Sequence, residues 1–222
     1  MKICCTSDFH GFFPKIEPCD IVLICGDIVD LYKQSSTKGC RKWYQDIFKP
    51  WAEDLPCKKV LFIAGNHEVA VEHHEGVYKC LFPKEDKVTY LNNELYTFED
   101  GLRVFGSPYC KIFGNWAFMK DDKGLQEKYS EIPEFVDILM THDAPYGTTD
   151  ICIEGWNTEH LGNKPLRDAI LAKNPEYVVH GHLHSANHDY EWLGKSKVIN
   201  CSYVNEQYEP AYQPIYIDTI TD

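Results

Sequence analysis

Five short apolar runs in this chain are each followed at once by aspartate, asparagine or histidine, side chains that commonly bind metal ions. Each run has the length and the Ile and Val content of a buried strand. In α/β sheets, ligands bind beyond the carboxyl ends of the strands, so neighbouring strands bring such side chains together at one edge. The polar segments after the five runs are Asp8-Phe9-His10, Gly26-Asp27-Ile28-Val29-Asp30, Gly65-Asn66-His67-Glu68, Thr141-His142 and His180-Gly181-His182-Leu183-His184.

The spacing within these segments favours convergence on one site. Asp8 and His10 are two residues apart, as are His182 and His184, which places each pair on one face of an extended chain. A glycine precedes the polar residues of the second and third segments and permits the tight turns that a crowded centre requires. Each segment alone is also typical of an ordinary turn or helix cap. Their joint occurrence, in order and at strand ends, predicts a metal site.

The mixture of candidate ligands indicates which metals the site would take. Calcium and magnesium sites are dominated by oxygen ligands, and structural zinc sites by thiolates. Mixed imidazole and oxygen ligands favour manganese, with iron, zinc, cobalt and nickel as alternatives. Seven ligands exceed the needs of one tetrahedral ion and fit two divalent ions about 3.5–4 Å apart that share a carboxylate. The candidate metal ligands are Asp8, His10, Asp27, Asn66, His142, His182 and His184.

Taken in order, the segments resemble the motifs of the calcineurin-like metallophosphoesterase superfamily: D-x-H, G-D-x-x-D, G-N-H-[D/E], H and G-H-x-H. The motifs run from Asp8 to His184 and so span most of the chain. The resemblance implies an α/β fold of four layers, an α/β/β/α sandwich of two mixed β-sheets flanked by helices. It also implies a dinuclear metal centre at the rim of that sandwich.

The resemblance assigns a role to each site residue. His67 would act beside the metals without binding them, and Asp30 would hold its ring through a hydrogen bond. A hydroxide bridging the metals would attack phosphorus directly, while His67 would stabilise charge or protonate the leaving group. The formal charge of the loaded site would be about +1, enough to hold a phosphate ester in an acidic protein. One metal would take Asp8, His10, Asp27 and His184, and the other Asp27, Asn66, His142 and His182.

A narrower resemblance links the chain to the small metallophosphoesterases related to the brain 239 proteins, some of which act on phosphodiesters. Leu31-Tyr32 follows the G-D-x-x-D motif where protein phosphatases and dinucleoside-tetraphosphate hydrolases usually carry Arg-Gly, and this difference disfavours both. The segments that carry the narrower resemblance are Gly106-Ser107-Pro108, Trp116-Ala117-Phe118, Ile132-Pro133, Asp137-Ile138-Leu139 and Thr141-His142-Asp143-Ala144-Pro145.

We therefore predict a metal-dependent phosphodiesterase acting on a small or nucleotide-like substrate. A phosphomonoesterase using the same site is the alternative, because such metals serve both kinds of ester. A binding scaffold without catalysis is disfavoured by the complete ligand set. The choice of substrate would depend on the loops 109–122 and 146–162. Their aromatic side chains that could stack on a base are Trp116, Phe118, Tyr146 and Trp156.

Length, composition and charge predict a single domain, residues 1–222, and limit its partners. Hydrophobic residues make up 44% and charged residues 25%, as in average soluble globular domains. The net charge of -12 predicts no stable nucleic-acid complex and no attraction to an anionic membrane. The ten cysteines form no Cys-x-x-Cys pair, and the first residues lack the apolar core of a signal peptide. These features predict reduced thiols and a cytoplasmic location.

The pattern of apolar residues also predicts individual elements. The predicted helices are Cys40–Asp54, with Trp43, Ile47 and Trp51 on one face, and Asn163–Lys173, capped by its asparagine. The segment Lys111–Ser130 is predicted to be a long loop with one helical turn. The predicted strands are Ile3–Cys5, Ile21–Cys25, Val60–Ala64, Leu102–Phe105, Val136–Met140, Tyr177–Val179 and Val198–Asn200, with an edge strand in Tyr212–Asp218.

Overall fold

A computed structural model describes residues 1–154 and 157–219 of the chain. Its strands are β1 (Lys2–Thr6), β2 (Ile21–Cys25), β3 (Lys59–Ile63), β4 (Val88–Tyr90), β5 (Glu94–Thr97), β6 (Arg103–Ser107), β7 (Cys110–Lys111), β8 (Met119–Lys120), β9 (Ile138–Thr141), β10 (Ile151–Glu154), β11 (Asn157–His160), β12 (Tyr177–His180), β13 (Glu191–Leu193), β14 (Ser196–Asn200) and β15 (Ile215–Asp218). Its helices are α1 (Thr37–Trp43), α2 (Lys49–Asp54), α3 (Val69–His73), α4 (Glu75–Leu81), α5 (Asp122–Ser130) and α6 (Lys164–Lys173), with a π-helical segment (Tyr44–Phe48) joining α1 to α2.

Two large mixed sheets form the centre of the fold. The first has the strand order β15-β1-β2-β3-β4, and the second has the order β13-β14-β12-β9-β6-β5. The inner strands of each sheet pair in parallel, whereas β15, β13 and β5 are antiparallel strands at the edges. Parallel strands end at the same edge of their sheet, so the loops that follow β1, β2 and β3 lie together in the first sheet and those that follow β9 and β12 in the second. Packing of the two sheets can then bring the two groups of loops together.

The sheets and helices stack in four layers. Leu23 of the first sheet and Met140 of the second belong to one buried cluster between the sheets. The outer face of the first sheet packs on α1 to α4, and that of the second sheet packs on α5 and α6. Each apolar face is thus covered by another layer, as a single core requires. The predicted α/β/β/α sandwich is confirmed.

The strand predictions hold to within two residues at each end, and β15 lies at the predicted sheet edge. The predicted helix over 163–173 is also confirmed. Asn163 caps it by accepting a hydrogen bond from the Leu166 N–H at 3.0 Å, and Asn174 ends it in the left-handed conformation. The sequence pattern does not predict seven short strands, which are β4, β5, β7, β8, β10, β11 and β13.

Two of the predictions for helices are wrong in part. The helix over 40–54 forms, but the π-helical turn rotates its buried face, so Tyr44 and Phe48 are buried and Ile47 is 48% exposed. The segment 111–130 contains the nine-residue helix α5 rather than one turn. Its cap, Asp121, accepts the N–H of Gly124 at 2.8 Å, and burial of Leu125 offsets the low helix propensity of that glycine.

The helices and the cysteines relate to two predictions made from composition, the absence of attraction to a membrane and the reduced state of the thiols. Among the helices in residues 1–154 and 157–219, none combines the length and the apolar character needed to cross a membrane. The buried cysteines behave as small apolar side chains. They are Cys4, Cys5, Cys25, Cys40, Cys110 and Cys201.

Candidate metal centre

The five predicted segments meet where the central strands of the two sheets end. In the described residues, three groups of side chains offer ligand atoms that lie within 4.8 Å of one another. Almost all of these residues are buried, and buried charged or polar groups need compensating partners. The groups are Asp8, His10 and His184; His10, Asp27 and His67; and Asp27, His142 and His182.

Asp27 occupies the centre of this arrangement. Its Oδ2 lies 3.8 Å from His10 Nε2, 3.8 Å from His67 Nε2 and 3.3 Å from His142 Nε2. Its Oδ1 accepts the backbone N–H of His67 at 2.8 Å, which holds the carboxylate in one orientation. A carboxylate placed between groups of imidazoles has the geometry required of a ligand shared by two ions.

Hydrogen bonds to backbone carbonyls set the tautomers of two candidate ligands. His142 Nδ1 donates to the Cys25 carbonyl at 2.7 Å, and His184 Nδ1 donates to the Asn205 carbonyl at 3.1 Å. The Nε2 atom of each ring is therefore the one that can bind a metal. Asn66 completes this side of the site, because its Oδ1 lies 3.0 Å from His142 Nε2.

His10 shows that these residues fit metal ions. Its side chain is buried, and neither Nδ1 nor Nε2 has a hydrogen-bond partner among the described residues. A buried polar group without a partner costs free energy, and a bound cation would remove that cost. Burial also lowers the pKa of His10 to about 4 and that of His182 to about 3. Both rings are thus neutral at pH 7, whereas the Asp27 carboxylate outweighs burial and raises the pKa of His142 to about 10.

The backbone at the site is held in an uncommon conformation. Asp8, His10, Asp27 and His182 have φ angles of 55°, 45°, 50° and 70°. Positive φ is uncommon for residues other than glycine, and it persists where the surrounding structure enforces it, often at functional sites. Here the loops support one another, because the Asp8 N–H donates to the carbonyl of Gly26 at 2.9 Å.

Glu68 anchors two of the ligand loops, a role that the sequence analysis does not assign. Its carboxylate accepts the backbone N–H groups of Asp27 at 2.9 Å, Ile28 at 2.8 Å, Val29 at 3.0 Å and Gly65 at 2.6 Å. The side chain is fully buried. In the sequence, Glu68 could have been recognised by its place directly after His67, at the acidic position of the G-N-H-[D/E] motif.

His67 is oriented by a residue that the motifs do not contain. Its Nδ1 contacts Gln34 Oε1, whereas the Asp30 carboxylate accepts the N–H of Tyr32 at 2.8 Å. The Asp30 carbonyl accepts the N–H groups of Lys33 and Gln34, so Asp30 shapes the turn that carries Gln34. Asp30 therefore contributes to the position of His67 through that turn rather than through a direct contact.

Three aromatic rings border the centre. The Trp116 ring lies 4.7 Å from the His67 ring, and the Phe113 ring lies 5.1 Å from the His182 ring. The Tyr208 ring lies 4.7 Å from the His10 ring. Of these three residues, Trp116 is the one predicted from the sequence to stack on a substrate.

The other predicted stacking residues have different surroundings. Phe118 is buried in the core at 2% exposure and cannot stack on a substrate. Tyr146 packs against His160 and Lys164, away from the candidate ligands. Trp156 lies outside the described residues.

The fold has two mixed sheets, and aspartate and histidine side chains cluster where the central strands of both sheets end. This combination defines the class of metal-dependent phosphoesterases. The family model of the calcineurin-like phosphoesterases matches residues 1–186, so the chain belongs to that family. Members use a dinuclear metal centre, and the chain is thus a metal-dependent phosphoester hydrolase. The predicted superfamily is confirmed.

Curated relatives agree with the family, and solved structures share the fold. The chain is 28% identical to metallophosphoesterase domain-containing protein 1 of Homo sapiens, over 99% of this chain and 71% of that protein. It is 26% identical to a UPF0046 protein of Caenorhabditis elegans, over 98% of this chain and 80% of that protein. The fold resembles that of phosphopantetheinyl hydrolase from Mycobacterium tuberculosis, with a TM-score of 0.60 and 13% identity over 97% and 95% of the two chains. It also resembles TT1561 of Thermus thermophilus, with a TM-score of 0.57 and 15% identity over 90% and 88%.

Proposed function

We propose that this protein is a phosphodiesterase that hydrolyses a small, nucleotide-like diester at a site holding two divalent ions, with manganese as the favoured metal. The observation that carries the proposal is the Asp27 carboxylate, whose Oδ2 lies 3.8 Å from His10 Nε2 of one ligand set and 3.3 Å from His142 Nε2 of the other. That arrangement supports two ions that share one ligand.

The chain's own residues divide into two ligand sets around that carboxylate. When bound, the ions supply Lewis acidity, which activates water as a nucleophile and withdraws charge from the phosphate oxygens. Because water is the nucleophile, the proposal needs no serine or cysteine and no covalent intermediate. One set is Asp8, His10, Asp27 and His184, and the other is Asp27, Asn66, His142 and His182.

His67 is the proposed catalytic residue that handles the proton. Its Nδ1 contacts Gln34 Oε1, an acceptor, so Nδ1 carries a hydrogen and Nε2 is the atom that faces the cavity. A protonated Nε2 can donate to the oxygen of the leaving group as the P–O bond breaks. General acid catalysis of this kind contributes about 10²–10⁴-fold. Asp30 and Gln34 hold the ring in place for that step.

Shape and charge support a small diester. The cavity at the ligands has a volume of about 190 Å³, which suits the ions and one phosphate group. Trp116 and Phe113 both line it, Trp116 beside His67 and Phe113 beside His182, so each arm of a diester could meet a different aromatic ring. The net charge of -12 disfavours a long nucleic acid. The buried thiols support action in a reducing compartment such as the cytoplasm.

Hydrolysis of two aryl phosphates tests the proposal directly. The metal-free protein is loaded in turn with manganese, zinc, cobalt, nickel and ferrous ions, and metal content is measured by elemental analysis. We expect two metals per chain and a kcat/KM for bis(p-nitrophenyl) phosphate that is at least tenfold above that for p-nitrophenyl phosphate. Preference for the second compound would assign the alternative, a phosphomonoesterase. A loaded protein that hydrolyses neither would be a binding scaffold.

A further inference from the structure

A groove of about 700 Å³ opens directly beside the metal centre, and we call it the side groove. Its apolar wall is formed by Ile112, Phe113, Leu161 and Leu183. Phe113 also lines the cavity at the ligands, as do His182 and Glu206, so the two spaces are adjacent. Small-molecule sites usually measure about 300–1,000 Å³, and the side groove falls within that range.

The chemistry of the side groove suits an apolar group. Phe113 is 50% exposed and Ile112 is 59% exposed, although both are large apolar side chains. Neighbouring apolar residues left open next to a polar centre are typical of a ligand site. Two charged side chains in the lining have protein partners: Lys111 Nζ lies 3.5 Å from the carbonyl of Gly162, and Glu206 Oε1 accepts the N–H of Ser185 at 3.0 Å. The interior therefore favours a flat, uncharged group that can stack on Phe113.

The positions of the histidines distinguish the two sides of the centre. The proposed proton donor, His67, lies beside Trp116 with the ring centroids 4.7 Å apart. The leaving group must be within reach of that donor, so it lies on the Trp116 side. Phe113 and the side groove lie beside His182 instead. The ester arm that stays on phosphorus therefore extends towards the side groove.

We propose that the side groove binds the retained arm of the diester and selects for a flat, apolar or aromatic arm. This inference rests on the proposed phosphodiesterase activity. In the reaction, water forms the new P–O bond, the bond to the leaving group breaks, and His67 delivers the proton to the departing oxygen. The product is a monoester that still carries its arm in the groove. A monoester substrate has no second arm and leaves the groove empty.

Two substrates that differ only in the retained arm test this inference. Phenyl p-nitrophenyl phosphate and ethyl p-nitrophenyl phosphate both release p-nitrophenolate, so the leaving side is the same. We expect the native protein to prefer the phenyl ester in kcat/KM. Phe113→Ala should reduce that preference about tenfold, equivalent to about 1.4 kcal/mol. A Phe113→Ala variant that slows both esters equally would overturn the assignment.

Matched variants separate the groove from general effects. Phe135→Ala removes a phenylalanine that is 81% exposed and lines neither space, so both rates should stay unchanged. Trp116→Ala should slow both esters by the same factor, because it acts on the common leaving group. Loss of the phenyl preference in Trp116→Ala, but not in Phe113→Ala, would place the retained arm on the opposite side and refute the proposal.

Calorimetry on the metal-loaded protein gives a readout without turnover. Phenylphosphonate should bind more tightly than methylphosphonate, and Phe113→Ala should abolish the difference. Equal binding of the two phosphonates by the native protein would overturn the side groove as an apolar subsite. If both diesters are hydrolysed without a phenyl preference, this inference fails and the proposed function stands. If neither diester is hydrolysed, the proposed function fails. The proposal that the side groove binds the retained arm then fails with it.

Discussion

Replacing Gly65 by alanine should disable the metal centre without unfolding the protein. An alanine Cβ would lie 2.3 Å from Asp27 Oδ1 and 2.6 Å from His142 Cε1. Since ordinary contact begins at 3.4 Å, the Asp27 oxygen must retreat by about 1 Å. Metal sites tolerate deviations of about 0.2 Å in ligand distances, so Asp27 would leave the position it needs to serve both ions. Overpacking of this kind costs about 1–3 kcal/mol of stability.

We expect Gly65→Ala to weaken metal binding more than about 100-fold, above the range seen when only the support of a ligand is lost. Metal titration calorimetry measures this affinity, and urea unfolding measures stability. Gly76→Ala is the matched control, because nothing lies within 4 Å of its added Cβ and α4 should gain about 0.5–1 kcal/mol. If the Gly65→Ala variant binds two metals as tightly as the Gly76→Ala variant, the added Cβ does not displace Asp27, and the reasoning is refuted.

Three further predictions concern the same centre. His67→Ala should retain two metals by elemental analysis while kcat falls about 10²–10⁴-fold; loss of a metal would instead make His67 a ligand. Gln34→Ala should lower kcat about tenfold with unchanged metal content, because the His67 ring loses the partner of its Nδ1, and an unaltered kcat would remove Gln34 from the mechanism. Addition of manganese at a thousand times its Kd should raise the free energy of unfolding by about 4 kcal/mol per site in urea titrations, and no rise would mean that the ion does not bind the folded state.

The sequence predicts much of the fold because β-strands leave local signals. β1, β2, β3, β9 and β12 are runs of apolar residues, and each can be recognised without knowledge of its neighbours. The elements that were missed depend on distant contacts. α5 contains Gly124 and is stabilised by burial of Leu125 and Tyr129 against the second sheet, which no local pattern reveals.

Some residues of the candidate site can likewise be predicted from the sequence, whereas others depend on contacts with distant parts of the chain. Asp8 and Asp27 stand two residues beyond the ends of β1 and β2, so their convergence follows from the parallel pairing of these strands. His142 follows β9 of the second sheet, and only the packing of the two sheets brings it to the aspartates. Gln34 and Phe113 stand in loops with no distinguishing motif. Their roles depend on which residues lie opposite them, and no rule of spacing predicts that.

The amino-acid sequence by itself determined the types of the ligands, their order and the strands that carry them, because these follow from the chemistry and periodicity of neighbouring residues. The tertiary structure decided that Gln34 rather than Asp30 contacts His67, that Glu68 holds two loops together, and that Phe113 faces a groove. These contacts join residues that lie far apart along the chain. Their geometry is set by how the layers pack, and packing is a property of the whole fold.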